Sequence, residues 1–520
     1  MPIARSQSVC VVIFLTVFVL QAAPPTPMAA ARFLEQAAWG PSPADLARVQ
    51  AIGFEQWIDE QVALPPSEWS PIPDPSVDAM GKTSLRPAQD AFFANAVHGK
   101  DQLRQRVAFA LAQIWVVSGV KLKPEAIVPY LRMLQADAFT TYDRVMLDVT
   151  LSPAMGHYLD MVNNNKPTAG RGADENYARE LMQLFTIGLA ELDSHGRQKL
   201  DSNGKPIPTY SQDTIEGFAR AFTGWTYAPQ PGAASKFGNP PNWNAPMVAF
   251  EGHHDQSKGK TLLNNYVLPA SQTAEADLAD ALHNIFEHPN VGPFISRQLI
   301  QHLVTSNPSE AYVHRVTTVF NGTPRGGLLA VVKAILTDPE ARQGDDGSEN
   351  TATKLREPVL WINALLRGLN AQVAASNALV GVATKLGQTI YYPPTVFNYF
   401  LPGYEINISS TETYNAPEFQ LLGEATAISA ADAVYGFAYG STSGVKIDLT
   451  PYVTLLGAKP AAADIDKMID ALNGALLGGR MTQNMHDTIA ETVQKAATPK
   501  AMVQMAVYLT GSSWDFQVLQ

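Results

Sequence analysis

Between Asn163 and Trp225 the chain gathers its densest set of side chains able to move protons or hold ions. Glu180 and Glu216 supply carboxylates, Arg179 and Arg220 supply guanidinium groups, and His253-His254-Asp255 follow in a long loop. Two carboxylates and a histidine can work as acid and base or bind a hard divalent metal ion. On a helix over 174–188, Tyr177, Leu181, Leu184, Phe185 and Ile187 form an apolar arc that includes Glu180. Glu175 and Arg179 lie opposite as a surface pair. A carboxylate inside an apolar arc must be paired, ligated or protonated. Glu180 is therefore expected to be nearly inaccessible and within salt-bridge reach of Arg106, Arg179 or Arg220. On 211–224 the apolar arc is Ile215, Phe218, Ala219 and Phe222, with Asp213, Glu216 and Arg220 sharing the other side. The loop carrying His254 begins soon after Trp225 and can fold back over that helix at small entropic cost. His254 or Asp255 is thus expected to approach Glu180, Glu216 or Arg220. The candidate catalytic set is Glu180, Glu216, His254 and Asp255, and the candidate binding set is Asn176, Arg179, Asp213, Arg220 and Trp225. An open, concave cluster would support an enzyme. A sealed one would make the same residues structural.

The elements that must position these residues are helices. Ser42 followed by Pro43 reads as a helix cap with proline at the first helical position. Leu103, Val107, Leu111 and Ile114 repeat at three- and four-residue steps. Similar stripes run through 124–137, 140–151, 273–287, 291–305, 310–320, 326–336, 354–368, 415–434, 462–476 and 484–509. Strand-like alternation is nearly absent. The expected fold is mainly α: a large multi-helix array with long ordered loops and at most one small hairpin. That hairpin is expected in 189–211, where Asp193 to Gly196 and Asp201 to Gly204 form turns. Residues 226–262 mix prolines, glycines, asparagines and aromatics without a period, which suggests an ordered, functional loop. The expected division is a leader over 1–30, a main helical domain over 31–400 with loop insertions at 189–211 and 226–262, and a C-terminal helical region over 401–520.

The N-terminus supports the leader. Arg5 precedes an apolar run from Val9 to Leu20 and a small-residue stretch through Ala31, the pattern of a secretory signal peptide. Such a run is shorter than the roughly 20 residues a membrane span needs. Cys10, the only cysteine, lies within it, so the exported chain would have no disulfide, thiolate metal site or cysteine nucleophile. At 520 residues and 46% hydrophobic content, the chain can bury a large core without cross-links. The net charge of −11 and the lack of basic runs with interleaved aromatics argue against nucleic acid as a partner. No His-Glu-x-x-His motif occurs, and Gly440 to Gly444 centres on threonine, unlike a nucleophile elbow. The aromatics of 391–404 could stack on a sugar but more often pack a core.

The stretch Asn176-Tyr177-Ala178-Arg179-Glu180 with Gly188, followed by Asp213, Arg220 and Thr223-Gly224-Trp225, resembles the signature of the bacterial domain-of-unknown-function family numbered 1800. Leu103 to Val107, Pro153-Ala154-Met155, Tyr158-Leu159-Asp160, His254-Asp255, His288-Pro289-Asn290 and Lys354 extend the resemblance over nearly the whole mature chain. The chain departs at Val396 to Phe400, where many members carry a glycine- and tryptophan-rich turn. The resemblance implies export, a helical fold and, often, a neighbouring gene for another exported, phosphatase-like protein that could be a partner. It implies no established activity. Two functions follow as expectations. One is an extracytoplasmic, hydrolase-like enzyme acting on an envelope or extracellular polymer. The other is a non-catalytic binding or assembly partner of another exported protein.

Overall fold

The computed structural model describes residues 23–69, 83–350, 353–409 and 412–519. Helix makes up 52% of it, in 22 α-helices among the described residues, so the fold is mainly α. Local chemistry starts many of these helices. Ser42 accepts from the Asp45 N–H with Pro43 at the first position, and Ser211, Thr273, Ser309 and Thr498 cap their helices in the same way. Among the described residues, strands occur as five two-stranded antiparallel pairs of two or three residues. Pairs that short carry no readable alternation, so the sequence signals fewer of them. In 189–211 the expected hairpin takes the form of isolated bridges, Ala190 to Pro208, Leu192 to Gln198 and Leu200 to Pro206. The stripe over 484–509 is two helices, Gln483–Val493 and Pro499–Ser512, because proline starts a new helix rather than continuing the old one.

Residues 1–22, which hold most of the expected leader, lie outside the described residues. The first helix, Pro27–Ala37, spans the boundary expected at residue 30. Thr26 caps it, and Ala29, Ala30 and Ala31 are buried.

The apolar interior forms two clusters. One draws on residues from Ala30 to Ala341. The other runs from Val359 to Phe516 and takes in Trp39, Phe92 and Phe93. The interior therefore changes hands between Ala341 and Val359, before the division expected at 400. Buried polar links join the two. Gln113, on helix Gln102–Ile114, donates to Glu357 at 2.7 Å, and Arg356 pairs with Glu35 at 2.7 Å. Among the described residues no helix is long and apolar enough to cross a membrane.

Candidate functional site

The two motif helices are Asn176–Gln183 and Gln212–Ala221. Ile215, Phe218 and Ala219 on the second helix are buried, while Asp213 and Glu216 are exposed. Asp213 sits in the first turn, where a carboxylate suits the helix dipole. The returning loop packs tightly on this helix. A Cβ at Gly217 would stand 1.9 Å from the Thr261 carbonyl oxygen, and one at Gly224 (φ +86°) would stand 2.8 Å from the His254 nitrogen. These two close approaches require glycine.

The loop does reach Arg220. Asp255 Oδ2 lies 2.5 Å from Arg220 Nε, and Arg220 also donates to the carbonyls of Gly259 and Lys258 at 3.0 and 2.9 Å. His254 is fully enclosed. Its Nδ1 faces the Thr223 carbonyl at 2.9 Å, and its Nε2 faces Asp277 Oδ2 at 2.9 Å. Lys260 Nζ stands 2.6 Å from the same Asp277 oxygen in an ion pair, with both side chains at 0% exposure. Asp277 comes from helix Ala274–Phe286, which sequence reasoning did not connect to the loop. The outcome for this half of the expected site is a sealed one. His254 and Asp255 are buried beside the part-buried Arg220, and Trp225 is buried in the first cluster. Asp255 is held near 2. Burial raises it, but hydrogen bonds from the Ser257 hydroxyl and N–H and the Arg220 pair together outweigh burial.

Glu180 differs from expectation. It is half-buried rather than inaccessible, and each expected arginine partner is engaged elsewhere. Arg179 pairs with Glu175 at 2.8 Å, Arg106 donates to the His302 carbonyl at 3.3 Å, and Arg220 holds Asp255. The physical reason is the helix's shortness: Tyr177, Ala178, Leu181 and Met182 fill the interior face, leaving Glu180 at its edge. Glu180 Oε2 is shielded yet has no hydrogen-bond partner. Burial pushes its carboxyl above the ordinary range, and Arg179 opposes the shift only in part. Tyr158 and Tyr210 lie within its electrostatic reach. The Tyr210 hydroxyl is likewise unpartnered, and burial pushes it up to about 12.

One helical turn before Glu180, Asn176 Nδ2 donates to Asp160 Oδ2 at 3.0 Å, while Lys121 Nζ lies 3.0 Å from Asp160 Oδ1. Lys121 also donates to the Tyr158 carbonyl at 2.7 Å. Asp160 and Asn163 are non-glycine residues in the left-handed region, at φ +60° and +63°. Asn163 is pinned by its N–H to the Trp225 carbonyl at 2.7 Å and by its side chain to the Thr226 hydroxyl at 2.7 Å. Backbone strain of this kind persists only where surrounding contacts enforce it, and it gathers at functional sites. Sequence reasoning placed Asp160 in a motif but gave it no role, and nothing in the sequence marked Lys121. The readable signal was an aspartate and an asparagine close together in a turn, both tolerant of the left-handed region.

The structure thus joins Asn176, Asp160 and Lys121 through side-chain contacts, with Glu180 one helical turn beyond Asn176. Arg179 stands beside them with Glu175 and Gln212. His254 and Asp255 are buried away from solvent, whereas Glu216 is exposed on the second motif helix. Among the described residues no group of three or more His, Cys, Asp and Glu side chains is placed to hold a metal ion, so the divalent-metal expectation gains no ligand set. The chemistry within reach is proton transfer by a carboxyl whose burial favours its protonated form, one helical turn from an asparagine that holds the Lys121-paired Asp160.

The family model described as "Protein of unknown function (DUF1800)" matches residues 32–518, nearly the whole chain. No curated protein and no solved structure matches the chain.

Proposed function

The chain belongs to the DUF1800 family, and from that premise we propose that it is an exported, hydrolase-like enzyme acting on an envelope or extracellular polymer. Glu180 is the general acid and Asp160 its carboxylate partner. The observation that carries this reading is the shielded, unpaired and burial-raised carboxyl of Glu180 beside solvent. In the proposed step, Glu180 gives its proton to the leaving group as Asp160 takes one from the attacking water, so the proton count balances. Lys121 and Asn176 hold Asp160 in place. About 6 Å of helix rise separates the Asn176 anchor from Glu180. Two half-exposed carboxylates on an open face suit a polymer better than a small enclosed substrate. Export rests on the cationic start and apolar run of the N-terminus.

The test is a panel of labelled peptidoglycan, polysaccharide and protein substrates incubated with the parent, Glu180→Gln and Asp160→Asn proteins. Hydrolysis of one substrate is expected, falling by roughly 10²–10⁴ in each variant. Equal hydrolysis by all three proteins would overturn the assignment.

A second reading, a non-catalytic partner of another exported protein such as the phosphatase-like neighbour, is favoured by one observation. Of the fourteen exposed large hydrophobic residues among those described, seven fall between Leu401 and Tyr439, including Ile408, Ile428 and Tyr435. Concentrations of exposed apolar side chains mark interaction surfaces.

A further inference from the structure

A polar recess of about 440 Å³ opens between helix Pro27–Ala37, the loop after Arg342 and the turn at Gly479 to Met481. Its volume falls within the range of about 300–1,000 Å³ typical of ligand pockets. Arg32 and Arg480 form part of its wall, with Ser348, Thr353, Gly344 and the exposed Glu349. The charge count behind that wall is uneven. Arg32 donates to Asp345 at 2.9 Å, and Arg342 stands 3.5 Å from the same carboxylate. Arg480 and Arg356 share a single oxygen of Glu35, at 2.8 and 2.7 Å. Four guanidinium groups therefore divide two carboxylates, an excess of two positive charges (4 − 2) in a largely buried group.

Like charges held together away from water repel strongly, because the low local dielectric leaves them unscreened. Burial lowers the proton affinity of Arg32, and Arg480 lowers it further. Arg480 Nη1 is shielded and has no acceptor. Gly344, at φ +86°, adopts a backbone conformation that favours glycine beside the Arg32 head. Glu349 is exposed at the rim, where solvent screens its opposing charge and its side chain can swing aside.

We propose that this recess binds a doubly charged oxyanion, a phosphate or sulfate group, either free or as the terminal group of a larger ligand. The planar fork of arginine matches the oxygens of such a group in pairs. The site is built from elements other than those carrying Glu180, and it stands independently of the hydrolase reading.

The test is calorimetric titration of the purified protein at fixed ionic strength with inorganic phosphate, sulfate and glucose 6-phosphate, with sodium chloride as control. Saturable binding of at least one probe is expected, and the preferred probe tells a free ion from a phosphorylated ligand. Arg480→Gln is expected to weaken it roughly tenfold or more. Ser348→Trp fills the recess from an exposed position, so it keeps the fold and is expected to abolish binding. If Arg480→Gln fails to fold, Ser348→Trp decides the matter alone. A heat signal no larger than that of chloride, or unchanged binding in Ser348→Trp, overturns the proposal.

Discussion

Asp277 is the keystone of the sealed half of the motif region, and removing it should be severe. Its carboxylate is wholly enclosed and faces both the Lys260 ammonium at 2.6 Å and His254 Nε2 at 2.9 Å. Asp277→Ala leaves a buried lysine without its counter-charge and a ring nitrogen without its acceptor. Breaking a buried pair from one side destabilises by about 3–5 kcal/mol, and an orphaned polar group adds about 1–3 kcal/mol. A loss of at least about 3 kcal/mol is expected, a large part of the roughly 5–15 kcal/mol that holds a domain together. Urea unfolding followed by circular dichroism at pH 7 reads this as a drop in midpoint at unchanged slope. The double variant Asp277→Leu with Lys260→Met replaces the pair by apolar groups of similar size, so it should recover at least half of the loss. A decrease below about 1 kcal/mol in Asp277→Ala would refute the claim that this network is sealed. His254 would then return as a candidate for chemistry.

Other outcomes follow from the same geometry. Glu180→Gln at pH 7 should leave the urea midpoint unchanged or slightly raised, because it removes a carboxyl whose ionised form burial disfavours and breaks no ion pair. A clear loss of stability would mean that Glu180 is paired after all. Asp255→Asn should destabilise by about 2 kcal/mol at pH 7. Asp255 is held near 2, so its contribution is present above its unfolded value near 4 and fades as pH falls toward 2. The gap between parent and variant should therefore close in acid. Asp137 has the opposite sign: burial first, then Asp148, raise it to about 7. Its protonated form favours the fold, so stability should fall by at most about 4 kcal/mol between roughly pH 4 and 7. Asp137→Asn should flatten that slope in denaturation measured across the range.

Much of the fold was legible because helical periodicity and capping residues are local. The Gln102–Ile114 helix buries the Leu103, Val107, Leu111 and Ile114 stripe read from spacing alone. Arg220 and Asp255 meet because a loop following a helix closely can fold back on it, a constraint of chain length. What stayed hidden depends on elements distant in sequence. Asp277, which captures His254 and Lys260, sits on helix Ala274–Phe286, which nothing in the sequence linked to the loop. Glu180 shows the converse limit. An arc drawn at 100° per residue places it among apolar neighbours, but how deep that edge lies is set by what packs on either side. The arginines near it in sequence had partners of their own, and only tertiary contacts decide such competition.

The central claim is that Glu180 holds its proton beyond the ordinary glutamate range. A pH titration of carbon-13 carboxyl signals from glutamate-labelled protein, with Glu180→Gln used to assign the resonance, measures this directly. The midpoint is expected above the ordinary value of about 4.3, and it should rise further in Arg179→Gln, which removes the opposing positive charge. A midpoint at or below about 4.3 would contradict it, and with it the role of Glu180 as proton donor.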